Sequence, residues 1–197
     1  MIETPNIFLI AGEPSGDNLG GALISSIRQK SPNAEFFGIG GDIMTAQGLQ
    51  SLLPMEEICV MGVFEVVTQI PRLLKLIQGV VEEIEARQPD ILVTIDLPDF
   101  NFQVAKRLKK RGIFNGKIVH YVAPTVWAWR PGRAEKISEF LDGLLCLFPF
   151  EPAYFHPYNL RADYVGHPLI EQRLEKSENE TKALYDQYGI EPDKKIL

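Results

Sequence analysis

Short, nearly continuous apolar runs recur at 7–11, 35–39, 91–95, 117–122, 143–148 and 162–165, and they predict strands. Ile91-Leu92-Val93-Thr94-Ile95 and Leu144-Leu145-Cys146-Leu147-Phe148 hold almost no polar positions, as strands covered on both faces require. Between them, apolar residues recur at helical spacing over 18–30, 42–48, 71–87, 100–111, 131–140, 151–157 and 171–188. In the third of these, Leu73, Leu76 or Ile77, Val80 and Ile84 mark one face, and Pro71 fits a first helical turn. Strands alternating with helices predict an α/β fold, a Rossmann-like doubly wound parallel sheet with right-handed crossovers.

Length and charge narrow the picture. A chain of 197 residues, 45% hydrophobic, suits one domain and the start of another. The boundary falls near 170: residues 171–197 hold a charged helix, a turn at Gly189–Asp193 and a strand start at Lys194–Leu197. The expectation is a domain over 1–170, a linker over 171–197, and a further C-terminal domain missing from these residues. A net charge of −6 disfavours nucleic acid as a partner. Cys59 and Cys146 lie far apart in apolar runs, which reads as reduced core thiols in a cytoplasmic protein. Met1-Ile2-Glu3-Thr4-Pro5 is acidic, unlike a secretory signal. No run approaches the roughly 18 apolar residues of a membrane span.

Candidate chemistry sits where strands end. After the first strand comes Gly12-Glu13-Pro14-Ser15-Gly16-Asp17-Asn18-Leu19-Gly20-Gly21, at the edge where open α/β sheets bind ligands. It matches neither GxxxxGK[ST] nor GxGxxG, and Glu13 and Asp17 would repel a bare phosphate. A hydroxyl-rich ligand suits it better. Ile95-Asp96-Leu97-Pro98-Asp99 follows a buried strand, so Asp96 is a candidate base and Asp99 a helix cap; the alternative makes both turn residues. Trp127, Trp129, Arg130 and Arg133 follow another strand. They could stack on sugars or acyl chains and bind phosphate, or form a core pair and a helix start. Asp42 fits an N-cap. The three histidines lack metal-ligand spacing, so no metal is expected, and His120 reads as structural. Residues 58–77 carry more apolar positions than one buried stripe, with Arg72 and Lys75 at their edge. By pattern alone this is a buried helix and loop; the other reading is a membrane-facing patch.

Five motifs then occur in order: Ala11–Asp17, Met61–Val66, Ile95–Asn101, Val122–Arg130 and Val165–Pro168. Together they closely resemble the lipid-A-disaccharide synthase family across essentially the whole chain. The resemblance implies the N-terminal domain of a GT-B glycosyltransferase. It implies an enzyme of lipid A biosynthesis joining UDP-2,3-diacylglucosamine to 2,3-diacylglucosamine 1-phosphate, with an inverted β-1,6 linkage and UDP released. It implies no cofactor, and a peripheral place on the cytoplasmic face of the inner membrane. Asp96 matches the family's critical aspartate, and Ser15 matches an active-site serine. Candidate substrate-binding residues are Glu13, Ser15, Asp17, Asn101, Trp127, Arg130 and Arg133, with the last two suited to the acceptor phosphate. The resemblance also turns Phe64, Val66, Val67, Ile70, Leu73 and Leu74 into a candidate membrane- and acyl-chain-facing patch. Because the family holds UDP in its second domain, these residues alone are expected to transfer no sugar. Competing expectations are a non-catalytic lipid-binding module and half of another GT-B sugar-nucleotide enzyme.

Overall fold

The computed structural model describes residues 4–59, 63–128, 132–170, 185 and 187–189, without the side chains of 63–69 and 169. The chain divides into two compact units, Met1–Gly166 and His167–Leu197. In the second, Pro168–Ile170 forms a short 3-10 turn. The helix expected over 171–188 and the strand start at Lys194–Leu197 fall almost wholly outside the described residues.

The first unit holds β1 (Asn6–Ala11), α1 (Pro14–Lys30), β2 (Glu35–Ile39), α2 (Asp42–Ala46), β3 (Leu49–Ser51), α3 (Val63–Arg87) and β4 (Ile91–Ile95). It continues with α4 (Pro98–Arg111), β5 (Lys117–Tyr121), α5 (Arg133–Ser138), β6 (Gly143–Cys146) and β7 (Arg161–Tyr164). The seven strands pair in the order β3-β2-β1-β4-β5-β6-β7, every pair parallel. Order reverses between β1 and β4, which is the signature of a doubly wound sheet.

Alternation along each strand sends its side chains to opposite layers. Phe8, Ile10, Leu92, Ile118 and Leu144 join Ile77, Val81 and Ile84 of α3, Phe102 and Leu108 of α4, and Ile137 of α5. Ile7, Leu9, Val93 and Ile95 pack with Leu19 and Ile24 of α1 and Met44 of α2. The strands β1 and β2 approach so closely that a Cβ on Gly38 would sit 1.9 Å from the Leu9 carbonyl oxygen, and its φ of +139° admits only glycine. His120 lies fully buried, its Nδ1 2.8 Å from Thr94 Oγ1 and its ring edge-on to Phe102. Burial, aided by the Arg133 charge, pushes the imidazole pKa down to about 3. Both cysteines are free, and burial pushes the Cys146 thiol up to about 12.

The structure departs from the sequence pattern in instructive places. β3 has only three residues and no apolar run, so it carries no local signal. α1 starts at Pro14 instead of 18, which puts Ser15, Gly16 and Asp17 in its first turn. α3 starts at Val63, so Pro71 sits inside it, with Ile70, Pro71 and Arg72 exposed. The stretch expected to be helical over 151–157 is two 3-10 turns, Glu151–Tyr154 and His156–Tyr158, because Pro152 and Pro157 each withhold an N–H. Gly41, not Asp42, is the N-cap of α2, and Leu97, not Asp99, is the N-cap of α4.

Candidate active site

The ends of β1 and β4 meet in register, Ala11 beside Ile95, at the point where strand order reverses. In such sheets the two following loops part to opposite faces and leave a crevice. Gly12 and Asp96 are the first residues into it. A Cβ on Gly12 would lie 2.6 Å from Leu97 Cδ2 and 2.9 Å from Ile58 Cγ1, so only glycine lets these loops touch. That contact brings the loop after β1 against the loop after β4.

The backbone here is strained. Asp96 and Leu97 have φ of 50° and 43°, and Val122, at the end of β5, has 81°. The other non-glycine residues with positive φ, Gln88 and Asn159, follow the ends of helical segments, where that conformation is routine. The three at the carboxyl edge cost about 1–3 kcal/mol each and persist only where neighbours hold them. Those neighbours are identifiable. The Asp96 N–H donates to the Tyr121 carbonyl at 3.0 Å, and the Val122 N–H donates to the Leu145 carbonyl at 3.0 Å. Asn101 Nδ2 donates to the Asp96 carbonyl at 2.7 Å and to the Ile95 carbonyl at 3.3 Å. The Asp96 side chain itself is half-buried, and its carboxylate has no hydrogen-bond or ion-pair partner among the described residues.

Glu13 occupies the N-cap position of α1 in an extended conformation without a side-chain cap bond. It is half-buried, and its charge, after burial, helps raise the Cys59 thiol pKa. Ser15 stands exposed in the first turn. Both side chains are free of partners among the described residues, as a hydroxyl-binding edge requires.

Two of the expected substrate binders are buried and bonded within the fold. Asp17 is buried, and its carboxylate accepts the N–H groups of Gly41 at 2.9 Å, Ile43 at 3.0 Å and Met44 at 3.0 Å. It is the cap of α2, supplied from another helix, which is why Asp42 is not needed there. Asn101 is fully buried, and its Nδ2 holds the Asp96 turn, while its Oδ1 has no hydrogen-bond partner among the described residues.

Around the rim the placements are mixed. Trp127 is exposed, and its ring meets Phe150 edge-on at 5.3 Å; Phe150 stacks on Phe148 at 5.7 Å. All three rings face solvent although large apolar surface favours burial, which makes them a candidate stacking platform. The sequence pattern missed Phe148 and Phe150, because it reads 143–148 as a single strand while β6 stops at Cys146. The turn after it is held by buried Glu151, whose carboxylate accepts the Phe148 N–H at 3.0 Å. Arg133 opens α5, half-buried, with its guanidinium 5.5 Å above the Phe102 ring. Arg130 and Trp129 lie outside the described residues. So do the side chains of Phe64, Val66 and Val67, although the backbone there belongs to α3. Of the remaining patch residues, Ile70 and Leu74 are exposed, whereas Leu73 is half-buried against the core. No described helix is long and apolar enough to cross a membrane.

Comparison with known proteins agrees with the motifs. The family model for lipid-A-disaccharide synthetase matches residues 7–197. A lipid-A-disaccharide synthase from Rhodospirillum centenum is 47% identical over 97% of this chain, and one from Xanthomonas axonopodis pv. citri is 51% identical over 85%. These stretches make up 47% and 37% of the two relatives, so the chain spans less than half their length. Among solved structures, a UDP-GlcNAc 2-epimerase from Neisseria meningitidis aligns over 96% of the chain and 54% of its own, with a TM-score of 0.59 and 8% identity. The lipopolysaccharide outer core galactosyltransferase WaaB aligns over 84% of the chain and 46% of its own, with a TM-score of 0.53 and 17% identity. These distant likenesses establish the shared Rossmann-like fold. The sequence relatives establish more: the chain belongs to the lipid-A-disaccharide synthetase family.

Proposed function

We propose that this chain is the acceptor-side part of an inverting hexosyltransferase that couples UDP-2,3-diacylglucosamine with 2,3-diacylglucosamine 1-phosphate. In this reading residues 1–170 are the acceptor-side domain. Residues 171–197 lead to a nucleotide-binding domain, and the rest of the relatives' length supplies the groups that hold UDP. The acceptor's 6-hydroxyl oxygen attacks the anomeric carbon of the donor from the face opposite UDP. The new C–O bond forms as the bond to UDP breaks, UDP leaves with the electron pair, and Asp96 takes the hydroxyl proton. Glu13 and Ser15 orient sugar hydroxyls beside it, and Trp127 with Phe148 and Phe150 offers faces for a sugar ring or acyl chain. Exposed Ile70 and Leu74 on α3, with Lys75 beside them and Arg72, ion-paired with Glu57, between them, suit a peripheral site on the anionic inner face of a membrane.

One observation carries the proposal: a half-buried carboxylate with no described partner, on strained backbone, at the switch point of the sheet. The test is Asp96→Asn in the full-length enzyme. Losing a general base lowers kcat by about 10²–10⁴-fold while acceptor binding changes little. Turnover at the unmodified rate removes Asp96 from the reaction. A lipid-binding module without catalysis would instead yield no disaccharide from the full-length protein at all.

A further inference from the structure

A cleft of about 490 Å³ runs between α4 and α5, lined along one side by Pro98, Asp99, Phe102, Gln103 and Lys106 and along the other by Gly132, Arg133, Lys136, Ile137 and Phe140. One end of it is the first turn of α4, which starts two residues beyond Asp96. Its floor is aromatic: Phe102 and Phe140 meet edge-on at 5.4 Å. Arg133 lies 5.5 Å over the first ring and Lys106 5.1 Å over the second. Rings hold cations in place without neutralising them.

Charge distinguishes this cleft from the chain's net balance. Lys106, Arg133 and Lys136 face one carboxylate, Asp99, in a chain whose net charge is −6. None of the three cations forms an ion pair with a described residue. Like charges gathered without ion-pair partners repel one another, a cost that the ring contacts of Lys106 and Arg133 offset only in part. An anion placed among them removes that cost and gains charge-assisted hydrogen bonds.

We propose that the α4–α5 cleft binds the phosphate monoester of the acceptor sugar, through Lys106, Lys136 and Arg133. The inference rests on the acceptor-side reading above and extends it. A phosphate dianion matches the surplus of two positive charges, and Gln103 adds a hydrogen-bonding group. Anchoring the phosphate here leaves the rest of the sugar to extend towards Asp96 at the head of α4.

The test uses the 197-residue chain and reads amide shifts in ¹H–¹⁵N spectra during titration with glucosamine 1-phosphate, with glucosamine as the phosphate-free comparator. Glucosamine 1-phosphate shifts amides in 98–106 and 132–140, and glucosamine does not. The double variant Lys106→Gln, Lys136→Gln weakens binding about tenfold, whereas Lys110→Gln, outside the cleft on the same helix, binds as the unmodified chain does. Both lysines are exposed, so their replacement leaves the fold intact. Unchanged binding by the double variant overturns the proposal. It is equally overturned if the double variant loses only its adsorption to phosphatidylglycerol vesicles, which assigns the lysines to lipid headgroups. No turnover is measured, so the outcome is independent of Asp96: a cleft that binds with a dispensable Asp96 sinks the base alone, and the converse sinks the subsite alone.

Discussion

Removing the Asp17 carboxylate should destabilise the protein by more than an ordinary helix cap does. A surface cap replaced by alanine costs about 0.5–2 kcal/mol, because water re-solvates the freed amides. Asp17 is buried and holds three amides of a different helix. The Gly41 and Ile43 amides are partly buried and can recover some hydration, whereas the Met44 amide is fully buried. Counting about 1 kcal/mol for each of the first two and about 1–3 kcal/mol for the third, Asp17→Ala costs roughly 3–5 kcal/mol. Asp17→Asn is milder. Its remaining oxygen can serve Gly41 and Met44, which share Oδ1, while its NH₂ group faces the Ile43 amide; about 2 kcal/mol is lost. Urea unfolding followed by circular dichroism measures both. With a slope near 2 kcal/mol/M, the midpoints should fall by about 2 M for alanine and 1 M for asparagine. An alanine variant within about 1 kcal/mol of the unmodified chain, or an asparagine variant as unstable as alanine, refutes the capping assignment and returns Asp17 to the substrate-binding set.

His120 makes stability depend on pH. Its folded pKa of about 3 lies below the unfolded value near 6.5, so the unfolded chain binds the extra proton, and the stabilisation present above pH 6.5 is lost as pH falls towards 3. The loss approaches about 1.4 kcal/mol per pH unit within that window. Urea midpoints between pH 7.5 and 4.5 should fall less steeply for His120→Gln than for the unmodified chain, and parallel curves would contradict the assignment. On the membrane side, the pair Ile70→Ser and Leu74→Ser should weaken adsorption to anionic vesicles several-fold while costing under about 1 kcal/mol of stability, because both side chains are already exposed. Unchanged adsorption with a marked fall in stability would make them ordinary core.

What could be read from the chain is what depends on neighbours in sequence. A strand buried on both faces must be apolar along its own length, so β1, β4 and β5 announce themselves, and a glycine-rich or acidic turn directly after such a strand must lie at its carboxyl edge. That logic puts Glu13, Ser15 and Asp96 at the carboxyl edge of the sheet, where the ends of β1 and β4 stand in register. β3 escaped it because three residues carry no period, and the start of α1 escaped it because Pro14-Ser15-Gly16 reads locally as a turn.

Tertiary structure alone decided which polar side chains are free. Asp17 and Asp96 look alike in sequence, each a carboxylate just past a strand. One is consumed by amides 24–27 residues away, and the other is left without a described partner. Lys106 and Lys136 likewise sit on unremarkable helical faces until packing brings α4 and α5 to opposite sides of one cleft. Local pattern encodes burial, because burial follows from the period of a single element. It does not encode partnership, because a buried hydrogen bond or a gathered charge is a property of two elements whose distance is set only when the sheet closes.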